Sequence, residues 1–275
     1  MNTQKIESRD NPRLKLARKI RDGKEHQLVF IEGTRLAEEA VWSDIRIEFC
    51  LFEEHYTDDV RGDSLISSVL QKTVDVFELS RDVFSTVSDT VSSQGVIVIA
   101  RRPDAGRSAF ERALRDYSSA IPLVVMLNEI NNPANLGAVI RTAEAAGAGG
   151  VIVSENSADV YSAKSLRGAM GSAFRIPIWA RASITDVVNW RNSNRYSTIG
   201  ASAAAERSYT DVDWAMPHLL IMGSEAHGIP HEIEEGLDEK IRIPIDEKVE
   251  SLNLAVATGV ILFEARRQVS LNRSI

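Results

Sequence analysis

The stretch LNEINNPANLGAVIRTAEAAGAGGVIV, residues 127–153, joins the end of one apolar run to a polar loop, a helix and a second apolar run. Asn132 fits the cap of that helix, with Pro133 at its first position, where a missing N–H costs nothing. Gly147 fits the left-handed residue that ends it. Strand, helix and strand in this order form the repeating unit of an α/β fold with a largely parallel sheet. Cap and turn leave Asn131, Asn135 and Arg141 without a structural reason. Arg141 can pair in solvent with Glu144 or Glu129, or it can face a ligand held by the loop.

The same alternation runs outward in both directions. Downstream, strands are predicted over 123–127, 150–153, 176–180, 196–200, 218–222 and 241–245, with helices between them and a last helix over 251–268. Upstream, a helix opens at Asn11-Pro12 and runs to about residue 21. Strands over 27–32, 45–52, 74–77 and 95–100 alternate there with helices over 34–42 and 64–71. The polar stretch ARRPDAGRS, residues 100–108, ends this first unit. The predicted division is an N-terminal domain over 1–102, a partly helical linker over 103–119 and a second domain over 120–275. A chain of 275 residues is comfortable for two domains.

With 44% hydrophobic and 26% charged residues the chain should fold with a sizeable core. The start shows no cationic–apolar–small leader, and the apolar stretch over 252–265 is too short and too broken to span a bilayer. Cys50 is the only cysteine, which excludes an intramolecular disulfide and fits a reducing compartment. A cytoplasmic protein is expected. The net charge of −7 argues against indiscriminate binding to polyanions. Its distribution is uneven. Residues 1–24 hold eight basic side chains against Glu7, Asp10 and Asp22, a charge of +5 that leaves −12 on the rest. Such a segment is either a nucleic-acid handle or a solvated helix face.

Several chemistries lack their residues. His227 and His231 have the spacing of a helical metal pair, but Pro230 stands between them and no third ligand is near in sequence, so no metal is expected. There is no G-x-S-x-G elbow and no Walker sequence. GAGG, residues 147–150, follows a helix and precedes a strand, the reverse of a dinucleotide fingerprint.

Three segments fall where an α/β protein binds ligands, past the carboxyl ends of strands. The first is the opening stretch. The second is HLLIMGSEAHGIP, residues 218–230, where Gly223 and Gly228 flank Glu225 and let backbone approach a ligand closely. The third is IRIPIDEKVESLNLAVATGVILFEA, residues 241–265. Here Ser251 can cap a helix beginning at Leu252-Asn253, and the small residues Ala255, Ala257, Thr258 and Gly259 suit close packing on another backbone.

Taken together, NNPANLGAVIRTA, GSEAHG and IPIDEKVESLNLAVA resemble the three motifs of the SpoU/TrmH class of SPOUT RNA methyltransferases. LRGAMGSAFRIPI, residues 166–178, is similar to the sequence that class carries between its first two motifs. SRDNPRLKLARKIRD and LVFIEGTRLAEEAV resemble the substrate-binding domain found in many members. The resemblance implies an α/β catalytic domain with a deep trefoil knot, preceded by a small ribosomal-protein-like α/β RNA-binding domain. It implies a homodimer that binds S-adenosylmethionine and methylates a ribose 2′-hydroxyl of structured RNA. The added N-terminal domain favours ribosomal over transfer RNA; a non-catalytic RNA-binding module of the same fold is the alternative. The family's catalytic positions fall on Asn135, Arg141, Glu225, Ser251 and Asn253. Cofactor contacts fall on Gly223, Ile243 and Leu252, and on Ser202, where SAAAE departs from the pattern. RNA contacts are expected from Arg9, Arg13, Lys15, Arg18, Lys19 and Arg35. Arg141 is either the base or, since a guanidinium stays protonated, a clamp on phosphate or on the developing alkoxide.

Overall fold

The computed structural model describes residues 3–43, 45–73, 75–225 and 227–272. The chain forms two compact units, Met1–Pro103 with Tyr161–Phe174, and Asp104–Val160 with Arg175–Ile275.

The first unit contains β1 (Gln4–Ile6), α1 (Pro12–Arg21), β2 (Leu28–Glu32), α2 (Thr34–Trp42), β3 (Ile47–Glu53), α3 (Val60–Leu70), β4 (Val76–Leu79), α4 (Arg81–Ser85) and β5 (Val96–Arg101). Its sheet has the order β1-β4-β3-β5-β2. It is mixed rather than uniformly parallel, because β5 runs antiparallel to both β3 and β2. The strand expected over 74–77 is observed as Val76–Leu79, and Val74 lies outside the described residues. α1 starts as its sequence suggests: Asn11 accepts from Arg13 N at 2.8 Å, Pro12 takes the first turn, and Leu14, Ala17 and Ile20 face the core. Beneath lie Phe30, Phe49, Leu51, Phe84, Ile97 and Ile99. The buried Glu32 ends β2 and accepts hydrogen bonds from Ser88 Oγ, Thr90 Oγ1, Ser93 Oγ and Asp89 N at 2.5–2.9 Å. A buried carboxylate is tolerated when its oxygens are satisfied in this way, and here it pins the loop over 88–93.

The second unit contains α5 (Arg107–Asp116), β6 (Leu123–Leu127), α6 (Pro133–Ala146), β7 (Gly150–Ser154), β8 (Ile178–Ala182), α8 (Ile184–Asn194), β9 (Ser197–Ala201), β10 (Arg207–Ser208), β11 (His218–Met222), α9 (His231–Glu234), β12 (Glu239–Arg242) and α10 (Leu254–Asn272). Between β7 and β8 the chain makes α7 (Ala163–Ala169), which counts with the first unit: Arg167 pairs there with Asp89 at 2.8 Å and Ala163 packs on its core. The sheet order is β10-β12-β9-β11-β6-β7-β8, and every pair is parallel. All residues of β6, β7 and β11 are buried, which explains their continuous apolar runs. In the segment expected as a linker, α5 buries Phe110 against Trp190 and Trp179, with ring centroids 5.6 and 6.1 Å apart.

Helix α6 begins and ends as its local chemistry predicts. Asn132 accepts from Ala134 N at 3.0 Å, and Gly147 closes the helix at φ 77°. A Cβ on Gly147 would lie 2.5 Å from Ala120 Cβ, so the position excludes other residues by space as well as by conformation.

Helix α10 corrects the expected cap. Asn253, not Ser251, caps it: Asn253 Oδ1 accepts from Ala255 N at 2.9 Å, and its carbonyl accepts from Ala257 N at 2.9 Å. Serine and asparagine are both good caps, so local pattern does not rank two of them two positions apart. The small residues do bring α10 close to α6, where a Cβ on Gly259 would lie 3.4 Å from Thr142 Cγ2. Asn253→Ala is expected to lower stability by about 1 kcal/mol, whereas Ser251→Ala leaves it unchanged, as read from urea midpoints. Equal losses for the two variants would place the cap wrongly.

Candidate active site

The carboxyl ends of β12, β9, β11 and β6 lie side by side in the second unit. Three residues expected at the site meet past these ends. Asn135 Nδ2 donates to Glu225 Oε1 at 2.6 Å. Asn253 Nδ2 lies 3.4 Å from both Asn135 Oδ1 and Glu225 Oε1. The Asn253 amide has no freedom to flip, because its oxygen is committed to the first turn of α10 and its NH2 must therefore face the other two groups. Helix cap and site residue are one side chain.

Glu225 stands on a tight turn. Ser224 and Gly228 exchange backbone hydrogen bonds at 3.0 and 2.9 Å, and His227 N donates to Ser224 Oγ at 3.1 Å. A Cβ on Gly223 would lie 2.1 Å from the Gly228 carbonyl, so this turn closes only over glycine. On the neighbouring strand, Asn128 N donates to Met222 O at 2.9 Å and locks the two strand ends together.

The loop leading into α6 is held by residues that pattern reading passed over. Glu129 has φ 57°, an uncommon conformation for a residue other than glycine. Ser154 Oγ accepts from Glu129 N at 2.9 Å, Ser157 Oγ accepts from Ile130 N at 3.1 Å, and the two hydroxyls are 3.0 Å apart. The signal available in the sequence was the pair of serines in SENS, residues 154–157, one ending β7 and one just past it. Asn128 is a second such residue. It is buried, and its Nδ2 has no hydrogen-bond partner among the described residues. An unsatisfied buried amide at a strand end calls for an explanation, and an acceptor on a bound ligand is one.

The other expected residues are placed as follows. Ser202 follows β9, with its N–H on Ile241 O at 2.9 Å; Ile243 follows β12 and Leu252 precedes α10, both half-buried. Ser251 is exposed and makes no hydrogen bond among the described residues. Arg141 does not join the Asn135–Glu225–Asn253 group. It lies six residues along α6 from Asn135, about 9 Å further along the axis, and it is exposed with no hydrogen bond or ion pair among the described residues. Glu144, one partner considered for it, instead takes the fork of Arg175 at 2.6 and 2.8 Å. No group of three or more His, Cys, Asp or Glu is placed to hold a metal among the described residues.

In the first unit the basic residues divide. Arg13 pairs with Asp75 and lies over the Phe49 ring at 5.2 Å; Arg18 donates to Arg9 O and to Thr86; Lys15 pairs with Asp10 at 3.1 Å. Arg9, Lys19 and Arg35 are exposed, and their side chains have no such partner among the described residues.

Residues 122–263 match the SpoU rRNA Methylase family, and residues 11–98 match the MRM3-like substrate binding domain. The chain is similar to the 23S rRNA (guanosine(2553)-2′-O)-methyltransferase RlmP of Bacillus subtilis, at 28% identity over 95% of this chain and 98% of the relative. It is 32% identical to the 23S rRNA (guanosine-2′-O-)-methyltransferase RlmB of Pseudomonas syringae pv. tomato, over 78% of this chain and 86% of that one. Among solved structures, the AdoMet-bound rRNA methyltransferase of Sinorhizobium meliloti superposes with a TM-score of 0.81 at 29% identity, covering 97% of this chain and 98% of the other. The motifs at the carboxyl end of the parallel sheet and the match over more than half of the sequence agree: this chain belongs to the SpoU rRNA methylase family.

Proposed function

We propose that the protein transfers a methyl group from S-adenosylmethionine to a ribose 2′-hydroxyl of ribosomal RNA. The observation that carries this reading is the meeting of Asn135, Glu225 and Asn253, from three remote segments, at the carboxyl end of the parallel sheet. The near full-length relative from B. subtilis is named for this reaction on 23S rRNA, and the S. meliloti relative was crystallised with AdoMet.

When bound, S-adenosylmethionine supplies an electrophilic methyl on a sulfonium, so no metal is required. Ser202, Gly223, Ile243 and Leu252 line its place, and the unpaired Asn128 Nδ2 offers a donor there. The remaining work is to hold a weak nucleophile in line and to accommodate charge as its proton leaves. The Ser251 hydroxyl is free to orient the ribose. The Arg141 guanidinium clamps a substrate phosphate or the developing alkoxide, while water takes the proton.

A homodimer belongs to the same reading. Val256, Phe263 and Leu271 are each more than half exposed and repeat at helical spacing along α10, which packs on α6. A second copy laid on that stripe puts the α6 surface carrying Arg141 at the interface, which accounts for its distance from the other site residues. A deep trefoil knot is also part of the proposal: β11 inserts between β9 and β6, and α10 returns to α6 after β12 has paired beyond β9. Such threading departs from the usual rule for connections. The working compartment proposed is the cytoplasm; no helix among the described residues is long and apolar enough to cross a membrane.

Incubation with labelled S-adenosylmethionine and unmodified ribosomal RNA is expected to place label on a ribose 2′-oxygen. Arg141→Lys is expected to lose about 100-fold or more of that rate, with calorimetric S-adenosylmethionine affinity retained. Label on a base instead would overturn the reaction, and a near-normal rate for the variant would overturn the clamp. Phe263→Glu is expected to convert dimer to monomer in light scattering; an unchanged mass would remove α10 from the interface.

A further inference from the structure

Of the four tryptophans, Trp179, Trp190 and Trp214 are buried, whereas Trp42 is 74% exposed. Trp42 ends α2. Arg35, Glu38 and Trp42 follow one another at spacings of three and four, which sets them on one face of that helix. This face walls a groove of about 620 Å³ within the first unit, completed by Thr34, Glu39, Tyr56, Asp59, Arg61 and Gln94. The turn behind it is closed tightly: a Cβ on Gly62 would lie 1.9 Å from Tyr56 O.

The charges in this groove are mostly spent internally. Arg61 forks onto both Glu38 oxygens at 2.7 Å, and Asp59 caps α3 by accepting from Gly62 N at 2.8 Å. Tyr56 donates to Thr34 Oγ1 at 3.0 Å, and burial pushes its phenol up to about 12, so it remains a neutral hydroxyl. Gln94 Oε1 accepts from Thr34 N at 2.9 Å, leaving its NH2 without a partner among the described residues. What the groove still offers is an exposed indole, a guanidinium on Arg35 with no hydrogen bond or ion pair among the described residues, and neutral amide and hydroxyl groups, beside the carboxylate of Glu39. An aliphatic peptide partner has little to match in such a lining. A flat heteroaromatic ring with polar edges, attached to a phosphate, matches the indole, the amide and the guanidinium, with the phosphate at the Arg35 end.

We propose that this groove seats an unpaired nucleotide of the substrate RNA, its base stacked on Trp42 and an adjoining phosphate on Arg35. The inference rests on the ribosomal RNA methyltransferase reading and gives the first unit a specific contact in it. Arg35 and Trp42 are two helical turns apart, about 10 Å along α2, which suits a base on one and a neighbouring phosphate on the other. Recognition through splayed, stacked bases is how proteins usually read RNA sequence, whereas phosphate contacts set affinity.

Because its three companions are buried, Trp42 is its own fluorescent reporter. Titration of the full chain with deproteinised ribosomal RNA is expected to quench tryptophan emission. The quench is expected to vanish in Trp42→Phe while binding persists. Trp42→Ala and Arg35→Ala are each expected to weaken RNA binding about tenfold or more, with S-adenosylmethionine affinity and thermal midpoint unchanged. Wild-type affinity in Trp42→Ala, or RNA binding without any quench, overturns the groove and leaves the methyltransferase reading intact. An emission change that follows protein concentration without RNA assigns Trp42 to a second copy and overturns it as well. Failure of the wild-type chain to bind RNA at all removes both the groove and the reading on which it rests.

Discussion

Residues of β6 and β11 pair in parallel, from Leu123 opposite His218 to Leu127 opposite Met222. Both strands are buried along their whole length, so their register is set by packing on two faces and cannot slip without exposing the core. This pairing is what lets Asn135 and Glu225, 90 residues apart, hydrogen-bond at 2.6 Å. The Asn128–Met222 hydrogen bond extends the ladder one step past the last pair, to the point where both loops begin. Each loop then leaves by a route that its own residues impose: Gly223 and Gly228 on one side, Glu129 held at positive φ by Ser154 and Ser157 on the other.

Much of this was legible in the sequence because the determining interactions are local. The strands over 123–127 and 218–222 emerge with their predicted bounds, since a short apolar run between turn residues has few alternatives in an α/β chain. The caps Asn11 and Asn132 and the stop at Gly147 depend on residues within one helical turn. What was not legible depends on partners distant in sequence. β1 is three residues long and exists only because β4 offers it an edge, so no periodicity announces it. The antiparallel placement of β5 follows from topology rather than composition. Asn253 displaced Ser251 as the cap, and its amide also faces Glu225, a group that local reading does not bring near. Asn135, Glu225 and Asn253, which the fold brings together, had been singled out through family motifs, whereas the serines that hold the loop before α6 had not.

The N-terminal charge shows the difference between counting side chains and counting free donors. Eight basic residues in the first 24 suggest an arm for polyanions. In the fold, Arg21 instead donates to three successive carbonyls just past the end of α4, those of Thr86, Val87 and Ser88, and Arg18 reaches Thr86 as well. A guanidinium with several directed donors is suited to closing a helix terminus, and the same atoms are then less available to phosphate. Arg9, Lys19 and Arg35 carry no such duties among the described residues, so their donors remain open to an anion. Charge density marks the neighbourhood; hydrogen-bond accounting selects the atoms.

The same accounting bears on the proposed catalytic residues. One oxygen of Glu225 receives both amides, from Asn135 and Asn253, while no bond to its second oxygen occurs among the described residues. Asn253 is fixed by its cap and Asn135 by the first turns of a helix whose own cap is Asn132, so the carboxylate is held by two elements that do not depend on substrate. An acid oriented in this way presents its free oxygen in a set direction without reorganising when a ligand arrives, which is the condition for electrostatic preorganisation. Arg141, exposed and without a hydrogen bond or ion pair among the described residues, has the opposite character: no protein group fixes its guanidinium. In the proposed reaction, a carboxylate held by the fold and a guanidinium held by no protein group suit a site whose second charge is positioned by a large, shaped substrate.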